Sequence, residues 1–179
     1  MADKVERLHR ELRYEGKLIQ FYSDTVKLPN GNVTEWDYIG HKGAAAVVPV
    51  LDDGRILMVH QYRNALDRFT IEIPAGGLDD ADEPMQVCAA RELEEETGYR
   101  SEHLEFLISV QTTVAFCNER IDVFVARNLI KTRQHLDEEE SIDVKAYTLD
   151  ELCELVFAGK LQDGKTISSI LAYRQKYHV

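Results

Sequence analysis

The chain is poor in cysteine: Cys88, Cys117 and Cys153 are the only three, and they lie far apart. No two of them have the spacing of a disulfide framework or a zinc site, so reduced thiols and a cytoplasmic location are expected. Long hydrophobic runs are also missing. The opening residues, Met1-Ala2-Asp3-Lys4-Val5-Glu6-Arg7, contain no apolar stretch of the kind that a signal peptide or membrane span needs, which predicts a soluble chain with no membrane partner. Basic residues are few beside acidic ones, 21 Lys and Arg against 32 Asp and Glu, for a formal charge of -11. Such a field repels polyanions, and no basic stripe interleaved with aromatic residues offsets it, so a nucleic-acid partner is not expected. Internal repeats, low-complexity tracts and Gly/Ser linkers are absent as well. What remains is 179 residues, 44% hydrophobic and 30% charged, enough for one core of ordinary size with a small appendage.

Between Glu11 and His41 apolar and polar residues alternate, and Pro29-Asn30-Gly31-Asn32 supplies turn chemistry in the middle. This predicts an N-terminal antiparallel sheet. Ala44 to Pro49 and Ile56 to Tyr62 read as strands flanking a hairpin turn at Asp52-Asp53-Gly54, and Phe69 to Ile73 as another short strand. Pro84 to Thr97 has no internal breaker, starts on proline and stops at Gly98, which predicts a helix of about four turns. Strands follow at His103 to Gln111, Ile121 to Ala126 and Ile142 to Tyr147, then helices at Leu149 to Ala158 and Thr166 to Tyr177. The irregular mixture points to α+β or an α/β/α sandwich. Between Arg127 and Ser141 runs a long charged connection containing Asp137-Glu138-Glu139-Glu140, and long loops in compact domains are often functional.

The chemistry concentrates on the helix ending at Gly98. At about 100° per residue, Glu92, Glu95 and Glu96 share one face within a turn. Three carboxylates that close repel one another unless a positive group compensates them. Hard cations such as magnesium or manganese bind oxygen ligands, would offset the repulsion and would bridge phosphate oxygens. Arg91 is placed to reach one of the carboxylates and fix it, and Gly77 and Gly98 permit tight backbone entry and exit.

Gly77 is followed after five residues by Glu83, and after seven more by Arg91-Glu92-Leu93-Glu94-Glu95-Glu96-Thr97-Gly98-Tyr99. Every fixed position of the Nudix box is filled, and the sequence resembles the Nudix hydrolase family. The resemblance implies an α/β/α sandwich with a mixed sheet, preceded by a small N-terminal antiparallel sheet. It also implies attack of water on phosphorus in a nucleoside diphosphate linked to another group, with Mg2+ or Mn2+ held by Glu92, Glu95 and Glu96. A backbone carbonyl of Gly76 or Ala75 would complete the metal site.

Outside the box, Asp24 to Gly31, His41-Lys42-Gly43-Ala44, His60-Gln61-Tyr62-Arg63 and Glu72-Ile73-Pro74-Ala75-Gly76 resemble the ADP-ribose pyrophosphatase branch. That branch implies a homodimer, an N-terminal β subdomain over residues 1–41 that contributes to dimerisation and to the substrate site, and a catalytic domain over residues 42–179. Arg63 takes the position of the diphosphate-contacting arginine. Trp36 would stack on a nucleobase or pack at a subunit interface, and Glu119 matches an acidic substrate-binding position. The branch's Ser-Pro-Gly-like turn is replaced by Thr113-Val114-Ala115-Phe116-Cys117-Asn118, a departure that leaves GDP-mannose or another nucleotide sugar open beside ADP-ribose. For the catalytic base the resemblance points to Glu138, with Glu139 and Glu140 as alternatives, and Glu95 is the other residue assigned to catalysis. A reading from a different class, a sensor that binds a nucleotide metabolite without cleaving it, is disfavoured by the intact box.

Overall fold

The computed structural model describes residues 4–17, 19–80, 82–136 and 141–179. Contacts divide the chain into two units: residues 1–43 with 111–119, and residues 44–110 with 120–179.

The first unit is built on an antiparallel sheet in the order β1 (Glu6–Glu15), β2 (Gln20–Lys27), β3 (Val33–Gly40). The β2–β3 turn forms where proline, asparagine and glycine predict it. Gly31 adopts φ 87, a left-handed conformation, and its N–H donates to the Leu28 carbonyl at 2.9 Å, as turn geometry requires. An ion pair ties β1 to β2, since Arg10 donates twice to Asp24 at 2.6 Å. The same guanidinium lies 3.6 Å from the centre of the Tyr38 ring on β3, so one cation touches all three strands. The segment Gln111–Glu119 returns to the end of β3: Ile39 N–H donates to the Phe116 carbonyl at 2.7 Å, and the Asn118 side chain accepts from His41 N–H at 2.8 Å.

The second unit contains β4 (Ala44–Pro49), β5 (Ile56–Arg63), β6 (Arg68–Glu72), β7 (Ala75–Gly77), α1 (Met85–Thr97), β8 (Tyr99–Arg100), β9 (Leu104–Gln111), β10 (Arg120–Ala126), β11 (Ile130–Lys131), β12 (Ile142–Tyr147), α2 (Leu149–Phe157) and α3 (Gly164–Tyr177). Strands β7-β4-β10-β9 form one mixed sheet, with β4 and β10 parallel and β7 antiparallel to β4. Strands β12-β5-β6 form a second, antiparallel one, and β8 pairs with β11. All six residues of β4 are buried, the signature of a strand covered on both faces. Its alternation sorts them: Ala44, Ala46 and Val48 join Ile121, Val123 and Val125 with Leu152, Ile170 and Tyr173 of the C-terminal helices. Ala45 and Val47 join Phe124 and Ala126 with Cys88, Ala89 and Leu93 of α1. Helices therefore cover both faces of this sheet, the α/β/α sandwich that the pattern suggested.

One local expectation needs correction. The turn at Asp52-Asp53-Gly54 is present, with Gly54 at φ 85, but β4 and β5 do not form a hairpin. Antiparallel pairing across the turn stops at the Val50–Ile56 bridge, just beyond β4, and the two strands belong to different sheets, because β4 is taken up by β10 on one edge and β7 on the other. The strands β7, β8 and β11 are too short to have shown any period in the sequence. Among the described residues no helix is long and apolar enough to cross a membrane.

α1 ends where expected. Gly98 takes φ 69 and donates to the Glu94 carbonyl at 2.9 Å, and a Cβ at this position would lie 2.9 Å from Gln134 N, so both conformation and space call for glycine. α2 starts on a reciprocal Thr148–Glu151 capping box.

α3 is fastened to β6 by a buried polar network. The Asp163 carboxylate caps the helix by accepting from Thr166 N–H at 3.0 Å, and the Thr166 hydroxyl accepts from Ile73 N–H at 3.0 Å. Glu72, only 3% exposed, accepts from Arg63 at 2.7 and 2.6 Å, from Thr70 at 2.6 Å and from Lys165. Burial alone would push its carboxyl up, but the Arg63 and Lys165 hydrogen bonds and charges, with Thr70, outweigh it and hold the group at about 2 against an ordinary 4.5. A depressed native value means stability that is fully present above about pH 4.5 and is lost as pH falls toward 2. Denaturant titration of wild type against Glu72→Gln should thus show a gap that is constant at neutral pH and narrows below about pH 4.5; a gap indifferent to pH would contradict this picture of the carboxylate.

Candidate active site

β7 and α1 bring the motif residues together. The three residues of β7 pair with β4, Ala45 against Gly76, and α1 packs across the same strand through Cys88, Ala89 and Leu93. That arrangement lays the backbone of Ala75–Gly77 beside the acidic face of the helix. Glu92 and Glu96 are 8% and 3% exposed, whereas the Glu95 side chain is 40% exposed. Burying two carboxylates next to a third is costly unless each is compensated.

Arg91 supplies positive charge to several of these carboxylates. Its Nη1 donates to Glu92 Oε1 at 2.6 Å and to Glu95 Oε2 at 3.1 Å. Its Nη2 donates to the Gly77 carbonyl at 3.0 Å and to Glu83 Oε2 at 3.3 Å, and Asp79 lies 3.5 Å from Nε. Burial lowers the guanidinium's affinity for its proton, but Glu83 and Glu92 more than reverse that and leave its pKa raised. Glu83 is correspondingly held below the usual carboxylate range by Arg91, against the opposing effect of desolvation. Glu96 is met by the backbone, accepting from Ala75 N–H at 2.9 Å.

Gly76 owes its identity to Glu92. A Cβ there would fall 2.0 Å from Glu92 Oε1, so the carboxylate occupies the space that any side chain would fill. Cys88 points into the same region, its Sγ 3.5 Å from the carbonyls of Gly76 and Gly77. Burial pushes its thiol up to about 12, which makes it a hydrogen-bond donor and not a thiolate ligand or nucleophile.

Among the described residues no three His, Cys, Asp or Glu side chains are gathered as ligands of one ion. The oxygens that α1 and β7 offer on this side are hard donors, the carboxylates of Glu92 and Glu95 joined through Arg91, that of Glu96 on the Ala75 N–H, and the Gly76 carbonyl of the adjoining strand. That set suits a cation such as magnesium, which takes one or two carboxylates, keeps several waters and completes its shell from substrate phosphates. An all-protein cage is not what such an ion needs.

The remaining expected site residues fall into three groups. Arg63, at the end of β5, is committed to Glu72 through two bonds, and its side chain is 39% exposed. Trp36 and Glu119 belong to the first unit: Trp36 is half-exposed on β3, and Glu119 accepts from Thr112 Oγ1 at 2.7 Å with His41 Nε2 at 3.6 Å. Glu138, with Glu139 and Glu140, lies outside the described residues. Sequence reasoning gave no individual role to Glu72, which Arg63 and Lys165 flank, and none to Lys165. The available signal was a charged residue among the apolar positions of Phe69 to Ile73, since an acid turned into a core must find cationic partners.

Comparison with known proteins agrees with the geometry. The NUDIX domain model matches residues 40–169. An ADP-ribose pyrophosphatase of Bacillus subtilis (strain 168) is 39% identical over 163 residues, covering 90% of this chain and 88% of the relative. A methanol dehydrogenase activator of Bacillus methanolicus is likewise 39% identical, over 159 residues and 88% and 85% of the two chains. The crystal structure of an ADP compounds hydrolase superposes with a TM-score of 0.86 at 20% identity, covering 98% of this chain and 95% of its own, a likeness of fold. The chain belongs to the Nudix hydrolase family, whose members generally use divalent metal ions.

Proposed function

We propose that this protein hydrolyses the diphosphate bond of ADP-ribose or a related nucleoside diphosphate sugar with Mg2+, or Mn2+ in its place, giving a nucleoside monophosphate and a sugar phosphate. The observation that carries this reading is the group of compensated carboxylates on α1 against the side-chain-free backbone of Gly76. The relative named ADP-ribose pyrophosphatase supports the substrate class. The altered turn at Thr113 to Asn118 favours a second reading within that class, in which GDP-mannose or another nucleotide sugar is preferred.

Glu92, Glu95, Glu96 and the Gly76 carbonyl would hold the cation. A bound cation there would supply positive charge toward the phosphate oxygens and make water at the site more acidic. Arg63 donates charge-assisted hydrogen bonds to the diphosphate. Glu138 takes the proton of the attacking water as the new P–O bond forms, with Glu139 or Glu140 as substitutes, and the departing phosphate oxygen leaves on the sugar or nucleoside side. Arg91 orients Glu92 and Glu95 and keeps their oxygens from moving apart in the absence of substrate.

Residues 1–41 form the N-terminal β subdomain of this account, and residues 42–179 the catalytic domain. The subdomain leaves Leu8, Leu12, Tyr14, Val33 and Trp36 exposed, apolar surface of the kind that association covers, which supports a homodimer in which Trp36 and Glu119 serve the substrate site. Free thiols at Cys88, Cys117 and Cys153 fit a cytoplasmic location.

Two measurements test the chemistry. With ADP-ribose, GDP-mannose, ADP-glucose and a diadenosine polyphosphate in magnesium, wild type should release monophosphate from at least one nucleotide sugar, and Glu96→Gln should lower kcat by on the order of 100-fold or more; binding without turnover of any compound would favour the sensor. Gly76→Ala should act differently. Because the added Cβ meets the free end of a flexible side chain, Glu92 can swing away at little cost to folding, so the variant should keep its thermal midpoint within a few degrees yet need about 10-fold more magnesium for half-maximal rate. An unchanged magnesium requirement would remove Glu92 and Gly76 from the metal site.

A further inference from the structure

Arg63 does not hold Glu72 alone. Glu72 sits between two cations, accepting from Arg63 Nε and Nη2 on one side and from the Lys165 ammonium on the other. The exposure of the three side chains is graded: Arg63 39%, Lys165 10%, Glu72 4%. A ligand arriving at this group therefore meets the arginine, while the lysine is covered. Lys165 is itself held, donating to Asp163 Oδ2 at 3.0 Å, and Asp163 is fixed by the first turn of α3 through Thr166 N–H and the Thr166 hydroxyl at 3.0 and 2.6 Å.

We infer that Lys165 is a positioning residue for the proposed diphosphate site, acting through Glu72 on the charge and orientation of Arg63. The inference rests on the reading above that Arg63 contacts the diphosphate. A buried carboxylate in a two-bond fork with a single arginine neutralises it and weakens its pull on a phosphate. A second cation on the same carboxylate changes the balance: Arg63, Glu72 and Lys165 together carry one net positive charge, and Asp163, which brings the formal sum of the four to zero, bonds to Lys165 and is the more exposed of the two carboxylates, so its charge is better screened by solvent. The fork uses Nε and Nη2, so the guanidinium plane is fixed and the Nη1 hydrogens stay outside it. Lys165 thus lets Glu72 aim Arg63 without cancelling it, and Asp163 and Thr166 place Lys165 by anchoring it to a helix start.

The test is kinetic, on the nucleotide sugar that wild type cleaves, with Lys165→Met, Lys165→Gln, Lys165→Arg, Arg63→Ala and the double variant Arg63→Ala/Lys165→Gln. Lys165→Gln keeps a donor toward Glu72 but loses the charge, and it carries the test if Lys165→Met does not fold. Loss of the charge should raise KM about 10-fold with kcat nearly unchanged, the pattern of lost substrate binding, and Lys165→Arg should restore KM to within about threefold. In the Arg63→Ala background Lys165→Gln should add nothing further, a non-additivity that a merely structural lysine would not show. A wild-type KM in Lys165→Gln beside a raised KM in Arg63→Ala, or an effect that adds in full to Arg63→Ala, overturns the inference alone. A wild-type KM in Arg63→Ala removes the role of Arg63 and with it the inference, and a wild type that cleaves no nucleotide sugar removes the proposed function itself.

Discussion

Arg91 is the cation on which the arrangement of the acidic helix depends. A helix that carries Glu92, Glu95 and Glu96 within one turn, with Glu83 and Asp79 close by, would repel itself apart or stay fully solvated if nothing positive stood among them. Arg91 bonds to Glu83, Glu92, Glu95 and the Gly77 carbonyl, and the Ala75 N–H takes Glu96. The apolar side of α1 can then pack Cys88, Ala89 and Leu93 against β4 and β10 while the acidic side stays ordered. Packing and chemistry are two faces of one helix, and neither would hold its place without the other.

The same logic recurs around Glu72. Its burial is tolerable because Arg63, Lys165 and Thr70 surround it, and those partners tie β5, β6 and the start of α3 into one polar network. In both places a carboxylate that would be destabilising alone becomes a means of directing an arginine: Arg91 toward the helix, Arg63 toward the diphosphate in the function proposed. The cost of a buried charge is accepted where it fixes the direction of another charge.

Much of this could be read from the sequence, for physical reasons that differ by residue. The α1 helix was legible because proline, an unbroken run and glycine mark its limits, and its acidic face because helical geometry converts the spacing of Glu92, Glu95 and Glu96 into adjacency. β4 was legible as a strand from its apolar run, but its neighbours were not: a turn at Asp52-Asp53-Gly54 reads as a hairpin locally, and the competition of β10 and β7 for the edges of β4 is a long-range fact that no local pattern carries. The tie between Glu72 and Lys165 was hidden for the same reason, since the two residues are far apart in the chain and meet only after α3 docks. Gly76 is the opposite case, a position whose neighbour Glu92 explains in one contact why any side chain there would displace the carboxylate.

The central claim is that the compensated carboxylates of α1 are a site for a divalent cation and not merely a well-solvated acidic helix. The most direct measurement is binding of Mn2+ to the purified protein, followed by electron paramagnetic resonance of the free ion, in wild type and in Glu92→Gln/Glu96→Gln. Saturable uptake by wild type, weakened at least about 10-fold in the double variant while its circular dichroism stays native, is the predicted result. Equal uptake by the two proteins, or none by either, would contradict the account.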